Sequence, residues 1–260
     1  MVNETHPTLP IEPTVQRIAE HVRSQEQVGG AEVVFPDGPA LAAYAEREFR
    51  ETRIAKSVPA RWRAGFPSFR ADLDPQSARL KTLAMDWVAA WPPADHLGLV
   101  LQGPGGCGKT HLGCAILAEL IRHRGVRGVR WNCAQLFQDI RAAWQQPSAW
   151  TEADVFDDVC ASELVFLDDF GSEGARDFIG ERLYLLIDRL YEEQRILMVS
   201  TNLDSGRLKR NFGENGERIC SRLASMVRPL GWDGERFPRW PVNDFRRDAR
   251  LTERGTGPPA

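Results

Sequence analysis

The sequence predicts an α/β fold: a parallel sheet sandwiched by helices, preceded by a small, mostly helical N-terminal segment. Three observations carry this expectation. From residue 97 onward, short continuous apolar runs alternate with longer amphipathic ones, the pattern of a parallel sheet covered on both faces. The first apolar run feeds a glycine cluster, "LVLQGPGGCGKTHLG" at 99–113, which opens directly into a helical run. A later run, "LVFLDDF", stays apolar until it ends in two acids.

The elements follow in order. Residues 1–38 are rich in Pro, Gly and polar side chains, interrupted by "TVQRIAEHVRS", where Val15, Ile18 and Val22 share one face of a short helix. "PALAAYAEREFRETRIAKS", 39–57, reads as a second helix, and "VPARWRAGFPSFRADLDP" as a linker punctuated by Pro59 and Pro67. "QSARLKTLAMDWVAAW" forms another helix. The expected division is therefore an N-terminal segment over 1–57, a main domain over 58–250 and a flexible tail over 251–260. Within the main domain "HLGLVL" is a buried strand, and "KTHLGCAILAELIRHRG" is a helix stopped by Gly125. "GVRWN" is a second strand, with Asn132 placed to cap the helix "CAQLFQDIRAAWQQ". "ELVFLDDFG" contains a third strand. The long helix "ARDFIGERLYLLIDRLYEEQ" aligns Ile179, Leu183, Leu186 and Leu190 in one stripe, and "RILMVSTN" is a fourth strand. "GERICSRLASMV", 216–227, reads as a helix with Arg218 and Arg222 one turn apart.

The glycine cluster solves a geometric problem. Its spacing, Gly103-x-x-x-x-Gly108-Lys109-Thr110, is that of a phosphate-binding loop. Glycines reach backbone angles closed to other residues, so successive N–H groups can turn inward around an anion. The helix that follows adds its positive end. The nucleotide-contacting set is then Gly103, Gly105, Gly106, Cys107, Gly108, Lys109, Thr110 and His111. Lys109 would reach the β- and γ-phosphates, and the Thr110 hydroxyl would ligate Mg²⁺. Ligands of parallel sheets bind outside the carboxyl ends of strands, which brings Asp168 and Asp169 beside this loop. Asp168 would hold Mg²⁺ through its water shell, and Asp169 would orient the attacking water and accept its proton. Asn202, ending the fourth strand, has the reach of the γ-phosphate or of that water, although Asn also simply starts turns. The spacing of Arg218 and Arg222 fits both a solvated helix face and an arginine supplied to a neighbouring subunit's γ-phosphate. The pattern thus implies a nucleoside triphosphate with Mg²⁺ as the bound cofactors.

Composition narrows the remaining classes. A chain of 260 residues with 42% hydrophobic content has room for one α/β core and an appendage. No run approaches the apolar length of a membrane span, and "MVNETHPTLP" lacks a signal-peptide pattern. The net charge of −3 gives no global pull toward nucleic acid. Five scattered cysteines, Cys107, Cys114, Cys133, Cys160 and Cys220, form no C-x-x-C pair and read as small buried hydrophobes of a cytoplasmic chain. Of 33 basic residues only four are lysines, which makes the one at position 109 less incidental. Between residues 204 and 250 there are 11 Arg or Lys against 7 Asp or Glu, interleaved with Trp232, Phe237, Trp240 and Phe245. Such a mixture suits single-stranded DNA, although most of these aromatics read as core or packing residues.

Taken together and in order, the phosphate loop, "LVFLDDFG", "LYLLIDRLYEEQRILMVSTNL", "GERICSRL" and "NDFR" resemble the DnaC/DnaI-type replicative helicase loaders, AAA+ ATPases close to the IstB-type transposition helpers. The likeness covers roughly residues 52–247 and extends to the "RIAKSVPARWRAGFPSFRAD" and "VRWNCAQLFQDIRAAWQ" stretches. The resemblance implies an AAA+ sheet with a reduced or absent lid. It assigns Lys109 and Thr110 to the Walker A motif, Asp168 and Asp169 to Walker B and Asn202 to sensor 1. Arg218 and Arg222 fall on the arginine-finger positions, and Arg246 on sensor 2. Two departures stand out: Leu190 occupies the place before Tyr191 where many members have Arg, and the N-terminal segment lacks the cysteine cluster of some relatives.

The implied function is an ATPase that binds a hexameric replicative helicase through its N-terminal segment and helps deposit it on single-stranded DNA. It would self-associate on the helicase through ATP-bridged interfaces, with slow hydrolysis as the switch, in a bacterial or phage-infected bacterial cell and with no membrane partner. Two alternatives remain open at this stage: a transposition helper that coats duplex DNA beside a transposase, and a P-loop small-molecule kinase.

Overall fold

The structure is a computed structural model that describes residues 38–71, 75–103, 105–145, 151–172 and 177–231. The chain divides into two compact units, Met1–Lys56 and Ser57–Ala260. In the first, the described part is helix α1 (Gly38–Ser57). An Arg50–Glu46 ion pair one turn apart braces it, and the Arg53 guanidinium lies 5.1 Å over the Phe49 ring. Val15, Ile18 and Val22 lie outside the described residues, as does the tail.

The second unit is built from α2 (Pro75–Ala89), β1 (Gly98–Gln102), α3 (Lys109–Arg124), β2 (Gly128–Asn132), α4 (Cys133–Gln145), α5 (Glu152–Cys160), β3 (Leu164–Asp168), α6 (Asp177–Glu192), β4 (Ile196–Thr201), α7 (Ser205–Asn211), α8 (Gly216–Met226) and β5 (Val227–Gly231). The five strands form one sheet in the order β2-β3-β4-β1-β5, every neighbouring pair parallel. Strands β1, β3 and β4 are buried along their whole length, as apolar runs lying between two helical layers must be.

Side-chain alternation divides the core. Val100, Val165, Leu167, Leu197 and Val199 pack with α4, α5, α6, α7 and α8. The predicted stripe Ile179, Leu183, Leu186 and Leu190 is buried in that layer. The opposite face, which includes Phe166, receives α3. Helix α3 sits unusually close because Gly113 meets the sheet there: a Cβ on it would lie 2.3 Å from the Phe166 ring. Gly125 in a left-handed conformation ends α3, and its N–H reaches back to the Ile121 carbonyl. Asn132 caps α4 as predicted, accepting the Gln135 N–H at 3.3 Å. Four of the five cysteines are buried, and desolvation raises the thiols of Cys114 and Cys220 to about 12 and that of Cys160 to about 11, which keeps them protonated.

The structure departs from the sequence reading in four places. Residues 59–69 are not a linker. Two 3₁₀ turns, Ala60–Trp62 and Phe66–Ser68, fold this stretch into a collar against α3, and Arg122 on that helix donates to the Arg63 carbonyl at 2.8 Å. Helix α5 begins on a capping box: the Thr151 hydroxyl accepts from the Asp154 N–H, and the Asp154 carboxylate accepts from the Thr151 N–H at 2.7 Å. Helix α7 starts at Asp204, whose carboxylate accepts the Arg207 N–H at 2.7 Å. Finally, α8 stops at Met226, and Val227 opens strand β5 on the outer side of β1. Pro229 stands in the middle of β5, yet the register with β1 is unbroken from Gly98↔Val227 to Gln102↔Gly231. The donor that proline lacks is therefore lost from the outer edge of the strand.

Candidate functional site

The carboxyl ends of β1, β3 and β4 lie side by side and are stitched together by the segments that leave them. The Gly103 N–H donates to the Thr201 carbonyl at 3.2 Å, and the Phe170 N–H donates to the Ser200 carbonyl at 2.8 Å. The Thr201 hydroxyl donates to the Phe170 carbonyl at 2.8 Å and accepts the Leu203 N–H at 3.1 Å. Gln102 closes the set by donating to the Leu203 carbonyl at 2.9 Å. Three strand ends are thus held at fixed separations before any ligand arrives.

The glycine loop runs from β1 into α3. Gly106 (φ 80°) and Gly108 (φ 92°) adopt left-handed backbone angles, which other residues reach only at a cost. Gly105 and Gly106 face open space. The first helical bond of α3 joins the Leu112 N–H to the Gly108 carbonyl at 2.9 Å, so the N–H groups of Thr110 and His111 have no helical acceptor and suit an anion. Lys109 is 7% exposed, and its ammonium donates to the Gly103 carbonyl at 2.8 Å. A buried cation folded back on a loop carbonyl, inside a turn of left-handed glycines with open space in front, fits a polyphosphate. Cys107 lies in the same loop, its sulfur 3.8 Å from the Lys109 ammonium. Desolvation raises its thiol, with Lys109 pulling the other way, so its contribution is shape and backbone.

The side chain of His111 turns away from the loop. Its Nε2 lies 2.9 Å from the Ser68 hydroxyl, Trp62 stacks on the ring at 6.0 Å, and Phe69 meets it edge-on at 5.3 Å. Burial, helped by the Arg61 charge, lowers its pKa and leaves a neutral imidazole. What His111 offers a nucleotide is its N–H; its ring belongs to the collar.

Asp168 is fully buried. Its Oδ1 accepts the Thr110 hydroxyl at 2.9 Å and the Ser200 hydroxyl, while its Oδ2 accepts two N–H groups of Arg130 at 2.6 and 3.1 Å. The Asp168 carboxylate therefore stands directly behind the Thr110 hydroxyl, as a group that holds the water shell of a Mg²⁺ ligated by that hydroxyl must, and the residues present fit that ion. Asp169 stands exposed just past the strand in a left-handed conformation (φ 57°), its N–H donating to Ser200 Oγ at 3.0 Å. Loss of solvent around the carboxyl and then the Asp168 charge raise its pKa, against the pull of Lys109 and Arg130. Asn202 follows β4 immediately, on the exposed surface, one residue past the Gln102↔Thr201 rung that sets it level with Gly103.

Lys109, Thr110, Asp168, Asp169 and Asn202 are thus gathered at one end of the sheet. Arg218 and Arg222 are not: they lie along α8 against α6. The Arg218 guanidinium sits 4.4 Å over the Tyr184 ring. Arg222 sits 4.5 Å over Tyr191 and donates to Asp188 at 2.6 Å. Arg189, one residue before Leu190, pairs with Asp157 and Glu193. Arg246 and the four aromatics beyond Gly231 lie outside the described residues. Two site residues escaped the sequence reading. Arg130 carried the signal of a charge inside a short strand, with the same parity as the capping Asn132. Ser200 carried only that of a hydroxyl at the end of an apolar run.

The sheet order and the glycine loop can be set against known proteins. Among solved structures, the DnaC helicase loader aligns with a TM-score of 0.57 at 22% identity, covering 65% of this chain and 97% of that one. DnaI aligns with a TM-score of 0.53 at 21% identity, covering 69% and 92%. At such identities the likeness is one of fold, and it bears out the parallel sheet sandwiched by helices that the sequence predicted. No curated protein matches in sequence. Among the described residues no helix is long and apolar enough to cross a membrane. Residues 41–223, which include the phosphate loop, both acids, Asn202 and both arginines of α8, match the model of the family described as IstB-like ATP binding protein. Most of the chain is covered by that match, and the chain belongs to the IstB-like family of ATP-binding proteins.

Proposed function

We propose that the chain is an ATP-hydrolysing helicase loader: it binds a hexameric replicative helicase and helps place it on single-stranded DNA, using the γ-phosphate as a switch. The observation that carries this reading is the gathering of Lys109, Thr110, Asp168, Asp169 and Asn202 at one end of a sheet whose fold is that of DnaC and DnaI. Lys109 binds the β- and γ-phosphates. Thr110 would ligate Mg²⁺ and Asp168 would hold it through its water shell; the ion would supply charge neutralisation at the phosphates. Asp169 orients the attacking water and takes its proton, and Asn202 senses the γ-phosphate. ADP lacks the contacts that Asn202 and a neighbour's arginine make, so the two nucleotides favour different states of the assembly.

Of the two α8 arginines, Arg218 is the better finger. Arg222 is held by Asp188 as well as by Tyr191, whereas Arg218 is exposed and, among the described residues, rests only on the Tyr184 ring. Arg218→Ala leaves ATP binding by its own subunit unchanged. It slows hydrolysis in the assembled state by roughly ten- to a hundredfold, the value of one lost charge-assisted contact. Mixing Arg218→Ala with Lys109→Ala subunits restores part of the rate, because some interfaces then join an intact arginine to an intact loop. A mixture with no recovered activity would make Arg218 structural.

The N-terminal segment is the proposed helicase contact, through Val15, Ile18 and Val22 as the i, i+3, i+7 anchors of a helix in a groove. Removing residues 1–57 leaves ATP binding nearly unchanged and abolishes co-elution with the host or phage helicase on size exclusion. Co-elution of the shortened chain would move the contact onto the ATPase unit. The family match favours a second reading, a transposition helper on duplex DNA. Preference for duplex DNA and a transposase over a helicase in the same experiment would select it.

A further inference from the structure

We infer that Arg130 is a positioning residue for the cation site: it occupies Oδ2 of Asp168 and so turns Oδ1 toward Thr110, the side on which the cation and its water shell would sit. The inference rests on the reading of Asp168 as the Mg²⁺ carboxylate proposed above.

The partition of contacts on Asp168 is complete and one-sided. Both N–H groups of the guanidinium fork close on Oδ2, at 2.6 and 3.1 Å. Both hydroxyls, Thr110 and Ser200, close on Oδ1. The carboxylate is wholly buried, and the Arg130 side chain is 17% exposed, so little water competes for either oxygen. The backbone fixes the pairing. β2 and β3 run in register with Arg130 opposite Phe166 and Asn132 opposite Asp168, so Arg130 and Asp168 share a sheet face two residues apart. An unrestrained carboxylate can turn either oxygen toward a cation or chelate it with both. A guanidinium fork clamped on one oxygen fixes the plane of the group and compensates the charge that burial would otherwise leave bare. The remaining oxygen then points at Thr110, where the hydroxyl already marks the ligand position.

Two effects of Arg130 oppose each other, and their signs separate them. As a positive charge near the cation it repels Mg²⁺, and its removal would tighten metal binding. As the group that orients and compensates Asp168 it favours Mg²⁺, and its removal weakens metal binding. Positioning requires the second.

The test is equilibrium binding of a fluorescent ATP analogue to the full-length chain, titrated with MgCl₂ and repeated in EDTA. In the parent, Mg²⁺ raises nucleotide affinity with a measurable half-saturation. In Arg130→Gln that half-saturation rises by about tenfold or more, the size of effect expected when the partner behind a metal ligand is lost. Affinity in EDTA barely changes, because the phosphate loop itself is untouched. Arg130→Lys keeps the charge without the fork and falls between the two. If Arg130→Gln gives no cooperative melt, Arg130→Lys carries the same expectation of a raised half-saturation. A folded Arg130→Gln protein whose half-saturation is unchanged or lower would overturn the inference. So would an equal loss of affinity in EDTA, which would make Arg130 a general support of the loop. A parent protein indifferent to Mg²⁺ would instead remove the cation site itself, and this inference with it.

Discussion

Lys109→Ala abolishes ATP binding while the thermal melt stays close to that of the parent. The two halves of this expectation come from different parts of the loop. The backbone path is set by the left-handed glycines at 106 and 108, by the Gly103 N–H bonded to Thr201 and by the start of α3, none of which needs the ammonium. The ammonium itself bonds a main-chain carbonyl of the loop, Gly103, at 2.8 Å, and a Cβ at Gly105 or Gly106 would meet only open space. Lys109 therefore contributes charge to the ligand and little to the fold. Two charge-assisted contacts, to the β- and γ-phosphates, are worth about 3–6 kcal/mol together, a loss of roughly 10²- to 10⁴-fold in affinity. Calorimetric titration with ATP beside a melting curve measures both halves. A folded mutant with the parent's ATP affinity would sink the assignment of the loop.

Asp169→Asn keeps ATP bound and slows its hydrolysis by about 10²- to 10⁴-fold, the usual worth of a positioned general base. The substitution is conservative in two respects at this site. Asn tolerates the left-handed conformation that Asp169 adopts at φ 57°, so the turn after β3 survives. The hydrogen bond to Ser200 comes from the backbone N–H and is also kept. What disappears is the ability to take a proton. The raised affinity of this carboxyl for protons, from lost solvent and the adjacent Asp168 charge, suits that role. Phosphate release in a single turnover, read beside nucleotide affinity, separates the two. A mutant hydrolysing at the parent rate would mean that another acid is the base.

The parts of the site that were legible in the sequence are those where local chemistry dictates local structure. Gly106 and Gly108 take the angles that glycine allows, Asn132 caps the helix it precedes, and Ile179, Leu183, Leu186 and Leu190 bury the stripe they form. Asp168 and Asp169 end a strand that runs apolar up to them, so their position beside the loop followed from strand polarity alone. What was missed depends on neighbours distant in sequence. Arg130 acquires its role from Asp168, 38 residues away across a strand pair. The collar reads as a linker because its prolines and short turns carry no periodicity; it is ordered by Trp62, Ser68 and Phe69 meeting His111. β5 is five residues long, contains Arg228 and Pro229, and is a strand because β1 lies beside it. α5 and α7 are different: their caps at Thr151 and Asp204 were readable and simply short.

Pro229 also shapes how copies of the chain can meet. A sheet with an open edge invites another sheet to zip onto it, strand against strand, and such growth has no natural end. On the β5 side the described sheet presents a ladder with a missing rung, so a second molecule cannot continue the hydrogen-bond run there. A single imino acid thus spoils this side of the described sheet as a template for a further strand.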